Sequence, residues 1–323
     1  MFQIIGETHI DFMKSRVLAV CISGAVILAG IISLAAHGGP RYSIDFAGGR
    51  LVDLAFVNQP VPASDVRASL ARIGLGDAEV QQYEAGAAGE HSGVVVRFKE
   101  ETTIEGRSVD EVSPTPAIIR ALEEDHPGLE VDLRREESVG PKVGAELRNR
   151  AIQSITYALI LILVYVGFRF ELVYGLGGVV ALFHDVFVVV GVFSLLNREI
   201  SLTVVAALLT IAGFSINDTV VIFDRIRELR KTEQRRRIRD VMNLAINQTL
   251  SRTFITSFTV LMTALSLFFF GGPVIRDFAL AMLIGLVSGT YSTIYVATAI
   301  ALWLIDWREA RKARKAALQA AAS

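Results

Sequence analysis

The chain is 323 residues long, 52% of them hydrophobic, with 32 Lys/Arg against 33 Asp/Glu and a formal net charge of −1. A soluble domain holds about 45–50% apolar residues even when glycine is counted, so this composition, with a mean hydropathy of +0.47, excludes an ordinary soluble protein. A single cysteine, Cys21, excludes an intrachain disulfide and a cysteine metal cluster, and reads as a small packing residue. Five scattered histidines without ligand spacing give no metal site. No nucleophile–base arrangement, phosphate loop or cofactor motif argues for covalent chemistry, so no cofactor is expected and an enzyme is the least expected class.

Six runs are apolar enough to cross a bilayer, which needs about 20 residues per helix or somewhat fewer with support from neighbours. They are 17–36, 152–168, 172–196, 202–223, 253–270 and 278–305. Lys14 and Arg16 precede the first run, which is longer than the usual 7–15-residue core of a signal peptide, so it reads as a retained span. Basic residues set the orientation. Lys14 and Arg16, the cluster from Arg225 to Arg239, and Arg308 to Lys315 all fall on one side of six spans, and the positive-inside rule makes that side the cytoplasm. Both termini are then cytoplasmic. The segment 37–150, with 20 acidic residues against 13 Lys/Arg, lies outside. The expected divisions are 1–36 (N-terminus and first span), 37–150 (periplasmic domain), 151–305 (spans two to six with a basic cytoplasmic loop at 224–251) and 306–323 (cytoplasmic tail).

The outer segment is long enough for a domain of its own. Residues 50–57 alternate as a strand, with Leu51, Asp53, Ala55 and Val57 on one face and Val52, Leu54 and Phe56 on the other. A helix follows from Pro62, burying Val66, Leu70 and Ile73. Strands are expected at 79–83 and 93–99, a helix at 114–124 and a strand at 129–134. This β-α-β-β-α-β order is that of a ferredoxin-like unit. The Ala/Gly-rich 84–93 reads as an exposed hairpin loop.

The stretch 224–251 reads as an amphipathic helix whose second half turns Ile238, Val241, Met242, Ala245 and Ile246 to one side. Its basic cluster is consistent with contact to anionic lipid or an acidic partner, or with a topology signal on a solvated helix lying along the membrane. Without interleaved aromatics it gives no nucleic-acid module.

Charged groups within the spans carry the functional signal, because a charge in a bilayer costs at least about 2.5–3.5 kcal/mol and normally faces a partner or a watery cavity. Asp218 stands near the end of the fourth run, and Arg252 opens the fifth. At 1.5 Å per residue both lie about 24–27 Å from the outer face, a depth at which antiparallel neighbours bring them together. Asn217, Thr219, Ser215 and Ser251 surround them with groups that suit water. Two readings stand: a proton or ion path, and a static ion pair locking two helices. Asp185, near the middle of the third run, suits either a proton relay or a hydrogen-bonded tie to a neighbouring helix. His184 titrates near neutral pH or packs through a hydrogen bond. Asp224, Arg225 and Arg227, at the inner boundary, read as helix-end salt-bridge residues, and Gly175 to Gly178 as a close helix contact.

Five local patterns combine. Tyr42 to Arg50 includes Asp45, Gly48 and Gly49; Ser138 to Leu147 includes Gly140 and Pro141; Phe183-His184-Asp185-Val186 lies in the third run. Ser215-Ile216-Asn217-Asp218-Thr219, continuing to Glu228, lies in the fourth, and Gly271 to Ala279 follows the fifth. Together, from about Lys14 to Trp307, they resemble the SecF subunits of the bacterial SecD–SecF protein-export factor, in the resistance-nodulation-division (RND) superfamily. The resemblance implies an α-helical membrane protein, six transmembrane helices forming an RND half-unit, with an α+β ferredoxin-like periplasmic domain between helices 1 and 2. It implies SecD as the other pseudo-symmetric half, work with the SecYEG translocon and the SecA motor on preproteins, and use of the proton-motive force. Asp218 and Arg252 match the family's proposed proton-conducting positions. Asp45, Gly48 and Gly49, with Gly140 and Pro141 on the returning strand, are expected to let the outer domain swing. The alternatives are half of an RND-type pump for small molecules or lipids, and a purely structural subunit.

Overall fold

The computed structural model describes residues 8–83, 92–98, 103–104, 107–108, 113–169 and 171–322. The expected hairpin loop at 84–93 falls almost wholly outside them. In chain order the elements are α1 (Arg16–Ala36), α2 (Ile44–Ala47), β1 (Gly49–Phe56), α3 (Ala63–Arg72), β2 (Glu79–Tyr83), β3 (Gly93–Phe98), β4 (Thr103–Ile104), β5 (Arg107–Ser108), α4 (Pro114–Asp125) and β6 (Val131–Val139). There follow α5 (Pro141–Arg169), α6 (Leu172–Leu195), α7 (Leu202–Thr232), α8 (Ile238–Phe270), α9 (Gly272–Ser292), a π-helical turn (Thr293–Ala297) and α10 (Thr298–Ala322). The chain divides into a helical unit (Met1–Arg41, Ser154–Phe268, Pro273–Ser323) and a sheet unit (Tyr42–Gln153, Phe269–Gly272).

In the sheet unit the strand order is β2-β3-β1-β6, every neighbour antiparallel. With α3 and α4 in the two crossovers this is the expected ferredoxin-like arrangement. The alternation in β1 sorts its side chains as the sequence predicts. Val52, Leu54 and Phe56 enter a core with Val66, Leu70, Ile118 and Leu122, while Leu51 joins Ile44 and Val95 on the opposite face. The last strand runs on to Val139, past the predicted end at 134, since pairing with β1 continues from Phe56↔Val131 to Gly49↔Val139. The charged Arg134 to Glu137 run hides that continuation, because backbone pairing on one edge of β1 does not require an apolar face.

At the start of β1, Gly48 adopts φ +75°, and a Cβ there would lie 2.8 Å from Cα of Pro141. Only glycine combines that backbone conformation with so close an approach. Pro141 itself opens α5, a position where its missing N–H leaves no donor unmet.

Among the described residues six helical segments are long and apolar enough to cross a membrane: α1, α5, α6, α7, α8 and the α9–α10 stretch across Ile275–Lys315. Helix α6 is the hub, packing against α1, α7, the π-helical turn and α10. Its crossing with α1 is closed by a glycine on each side: a Cβ on Gly30 would meet Cα of Gly191 at 2.7 Å, the small-residue contact typical of helices in lipid. Burial separates inner helices from outer ones. The most apolar windows of α6, α7 and α9–α10 are 56%, 50% and 61% buried, those of α5 and α8 only 11%.

One expectation is corrected. Residues 224–251 do not form a helix of their own: α7 runs on to Thr232 and α8 starts at Ile238, leaving only 233–237 between them. The apolar runs end well before the helices do, because i→i−4 bonding persists into water wherever no proline or cap stops it. The predicted apolar face is nonetheless buried: Val241, Met242, Ala245 and Ile246 join Ile226 and Leu229 in the core.

Candidate functional site

Two carboxylates are buried among the spans, and their surroundings differ. Asp185, on α6, has no exposed surface. Three hydroxyls donate to it: Ser215 Oγ of α7 at 2.6 Å, and Ser288 and Ser292 Oγ of α9, each at 2.8 Å. His184 Nδ1 lies 3.0 Å from the same carboxylate, and its Nε2 lies 3.0 Å from Ser23 Oγ of α1. One acid thus joins α1, α6, α7 and α9 through hydroxyls and an imidazole. Of the two readings of Asp185, this geometry has the form of the hydrogen-bonded tie. Serines spaced i, i+4 on α9 reach it together because they share a helix face.

Asp218, on α7, is 5% exposed. Among the described residues its hydrogen-bonding contact is Ser257 Oγ of α8, at a long 3.5 Å. Thr290 Oγ1 of α9 donates in turn to Ser257 at 3.0 Å. The carboxylate borders a crevice of about 10 Å³ between α7 and α9, at the lower limit for a single water. An apolar groove of about 300 Å³, lined by Phe254, Ser257, Phe258 and Thr290 among others, lies on the other side of these hydroxyls. Two hydroxyls in series therefore lie between that groove and a buried acid with few partners.

Arg252 is not in contact with Asp218. It is exposed and forms no ion pair among the described residues, although its charge is near enough to act on Asp218 through space. The reason is rotational. The buried row of α8 runs Ala245, Thr249, Thr253 and, one turn on, Ser257, so the side chain that reaches Asp218 is Ser257. Arg252 precedes Thr253 by about 100° of helix rotation.

The remaining predicted residues divide in the same way. Thr219 turns from Asp218 to bond Ser215 O and Thr293 Oγ1, both at 3.0 Å. Ser215 serves Asp185. Asn217 is exposed and makes no hydrogen bond among the described residues. Asp224 pairs with Arg169, the last residue of α5, at 2.7 Å and Arg225 with Glu228 at 2.5 Å, while Arg227 forms no ion pair among the described residues; because α7 runs on to Thr232, the expected salt bridges lie within that helix and not at its end. Asp45, Gly48, Gly49, Gly140 and Pro141 all belong to the sheet unit, inside the divisions at 41/42 and 153/154. No group of three or more His, Cys, Asp or Glu side chains placed to hold a metal ion occurs among the described residues.

Sequence reasoning passed over Ser257, Ser288, Thr290, Ser292 and Ser23. The available signal was Ser288-Gly289-Thr290-Tyr291-Ser292-Thr293, a run of small hydroxyls inside an apolar stretch, which ends at the π-helical turn. It also passed over a clamp ahead of α1. Asn247 bonds Ile10 N and O, and Asn243 bonds Met13 N and Asp11, so the segment before the first span is tied to α8. Hydrogen bonding from Asn243, with help from Arg239 and the Lys14 N–H, holds the Asp11 carboxyl below its ordinary range.

Fold and site together define a multi-pass membrane protein with a ferredoxin-like sheet unit and buried acids in its spans. Residues 120–307 match the family model described as protein export membrane protein SecD/SecF, C-terminal. The protein translocase subunit SecF of Vibrio alginolyticus is 43% identical over 305 residues, 94% of this chain and 93% of that one. That of Desulfurispirillum indicum is 39% identical over 303 residues, 93% and 92% of the two chains. The crystal structure of SecDF, a translocon-associated membrane protein from Thermus thermophilus, superimposes with a TM-score of 0.79 at 34% identity. It is covered by 94% of this chain but only 39% of its own. The chain belongs to the SecF subunits of the SecD/SecF family of protein export membrane proteins.

Proposed function

We propose that this chain is the SecF half of a protein-export factor, paired with a SecD half, that couples the proton-motive force to preprotein movement through the SecYEG translocon and its SecA motor. The observation that carries the reading is the contrast between the two acids. Asp185 is held by four groups, three hydroxyls from two other helices and the imidazole of its own chain neighbour, so moving an ion through it requires breaking all of them. Among the described residues Asp218 has one long contact and a hydroxyl path to a groove. A carrier must change partners during its cycle, and Asp218 is the acid free to do so, with Ser257 and Thr290 as relay and Arg252 as a nearby charge. Asn217 and Thr219 flank it on α7, while His184 and Asp185 form the fixed tie beside it.

In this reading both termini are cytoplasmic and the sheet unit faces the periplasm. The sheet unit moves as a body, and the turn formed by Asp45, Gly48 and Gly49, with Gly140 and Pro141 on the returning strand, is where it swings. The close approach of Gly48 to Pro141 ties the start of α5 to β1 at that turn.

The test is preprotein export into vesicles holding the assembled pair of subunits, with and without an imposed gradient. Asp218→Asn keeps shape and removes titration; it is expected to abolish the gradient-dependent part while assembly and the gradient-free part persist. Export equal to wild type under the gradient would make the chain a scaffold.

A further inference from the structure

At the end of the helical unit where α7 gives way to α8, a cavity of about 630 Å³ opens, within the roughly 300–1,000 Å³ of small-molecule sites. Five arginines line it from two regions of the chain: Arg16 at the start of α1, and Arg230, Arg236, Arg237 and Arg239 around the α7–α8 turn. Three of them are engaged. Arg230 donates to Tyr174 Oη at 3.2 Å, Arg236 pairs with Glu233 at 3.1 Å and Arg239 with Asp11 at 3.2 Å. Arg16 and Arg237 have no acidic partner among the described residues, which leaves two cations facing the cavity.

Three further features narrow the ligand. Ile238, Val241 and Leu302 give the cavity an apolar part, which a free inorganic anion does not need. Asp306 and Glu309 of α10 place two carboxylates across from the arginines, acceptors suited to hydroxyl groups and repulsive to a second phosphate. Trp303 and Trp307, on the same stretch of α10, are 65% and 50% exposed, with Arg311 over the Trp307 ring. Exposed tryptophans beside arginines mark the headgroup level of a bilayer.

We infer that this cavity binds the headgroup of an anionic phospholipid bearing free hydroxyls, of the phosphatidylglycerol kind. Arg16 and Arg237 take the phosphate, Asp306 and Glu309 accept from the glycerol hydroxyls, and the first acyl carbons lie on Leu302 and Ile238. Arg16 and Arg237 supply bidentate donors matched to a phosphate. The site joins the start of α1, the α7–α8 turn and α10 through a lipid, and stands independently of the role given to Asp218.

The probe is native mass spectrometry of the full-length chain in detergent, titrated separately with dioleoyl phosphatidylglycerol, dioleoyl phosphatidylcholine and glycerol phosphate. The glycerol lipid is expected to bind at least about tenfold tighter than the choline lipid. Arg16→Gln with Arg237→Gln is expected to remove that preference, since each cation near an anionic lipid contributes about fivefold. Arg314→Gln with Lys315→Gln, basic residues of the tail outside the cavity, is expected to leave it within twofold, and thermal melting checks that each variant is folded. Should the cavity pair misfold, Arg237→Glu alone is read in its place, with the same loss of preference expected. Equal binding of both lipids, equal loss in the tail variant, or displacement of the lipid by glycerol phosphate at matching concentration would each overturn the assignment.

Discussion

At the residue scale, the chain treats its buried acids in three ways. Asp185 is surrounded by donors, Asp218 is nearly without them, and Asp53 of the sheet unit is intermediate. A side-chain hydrogen bond between membrane helices is worth about 0.6 kcal/mol on average. Asp185→Ala, which strips an acceptor from three hydroxyls, is therefore expected to lower stability by about 2 kcal/mol, and Asp218→Ala by no more than about 0.6 kcal/mol. Thermal unfolding in detergent measures both; equal losses would erase the distinction between tie and carrier. In Asp53, burial pushes the carboxyl above its ordinary value of 3.8, against the Tyr83 hydroxyl and the charges of Arg134, Arg135 and Arg97. An acid raised in the folded state contributes stability that is present below its unfolded value and lost as pH rises through the folded one. Protection of β1 amides from hydrogen exchange, taken as the ratio of wild type to Asp53→Asn in the full chain, should fall as pH rises above the ordinary carboxylate value of 3.8. A ratio independent of pH would contradict that sign.

At the element scale, apolar runs located the spans well. The first and third helices, Arg16–Ala36 and Leu172–Leu195, end within a residue of the predicted runs, because there the helix and the apolar stretch stop together. Helices α7 and α8 outrun theirs, since hydropathy reports contact with lipid and helix propagation does not depend on it. Strand alternation gave the sheet, whereas the length of β6 lay in pairing with β1. The acid of the site was legible as a charge in an apolar run. Its partners were not: Arg252 and Ser257 differ by the face of α8 they occupy, which only the neighbouring helix decides. The serines around Asp185 were hidden for a related reason. Hydroxyls in helices commonly bond the carbonyl four residues back, as Thr249 does to Ala245 at 2.9 Å, so a serine in a span does not by itself announce a carboxylate. Helix contact is the more predictable feature. Gly30→Leu, which meets Gly191 backbone, is expected to lose about 1–3 kcal/mol through overpacking. Gly24→Leu, with nothing within 4 Å of its added Cβ, should be silent. Equal melting temperatures for the two variants would show that the α1–α6 contact does not hold the bundle.

At the scale of the whole molecule, the proposed function gives the fixed tie and the sparsely held acid different tasks. The tie at Asp185 joins α1, α6, α7 and α9, while α8, which brings Ser257 to Asp218, keeps most of its apolar surface outside the bundle. Phe254 and Phe258 on that surface stack at a centroid distance of 5.8 Å and line the groove beside the relay hydroxyls. On the proposed function, this is the helix whose displacement changes the partners of Asp218, and a SecD half beside it supplies the force or feels it. The measurement that bears most directly on that claim is ion flux into vesicles containing the assembled pair, with a proton gradient and then a sodium gradient imposed. Wild type and Asp53→Asn are expected to conduct protons and not sodium, and Asp218→Asn to fall to the level of protein-free vesicles. Flux through Asp218→Asn equal to wild type, with the complex intact, would contradict the assignment of Asp218 as the exchanging acid.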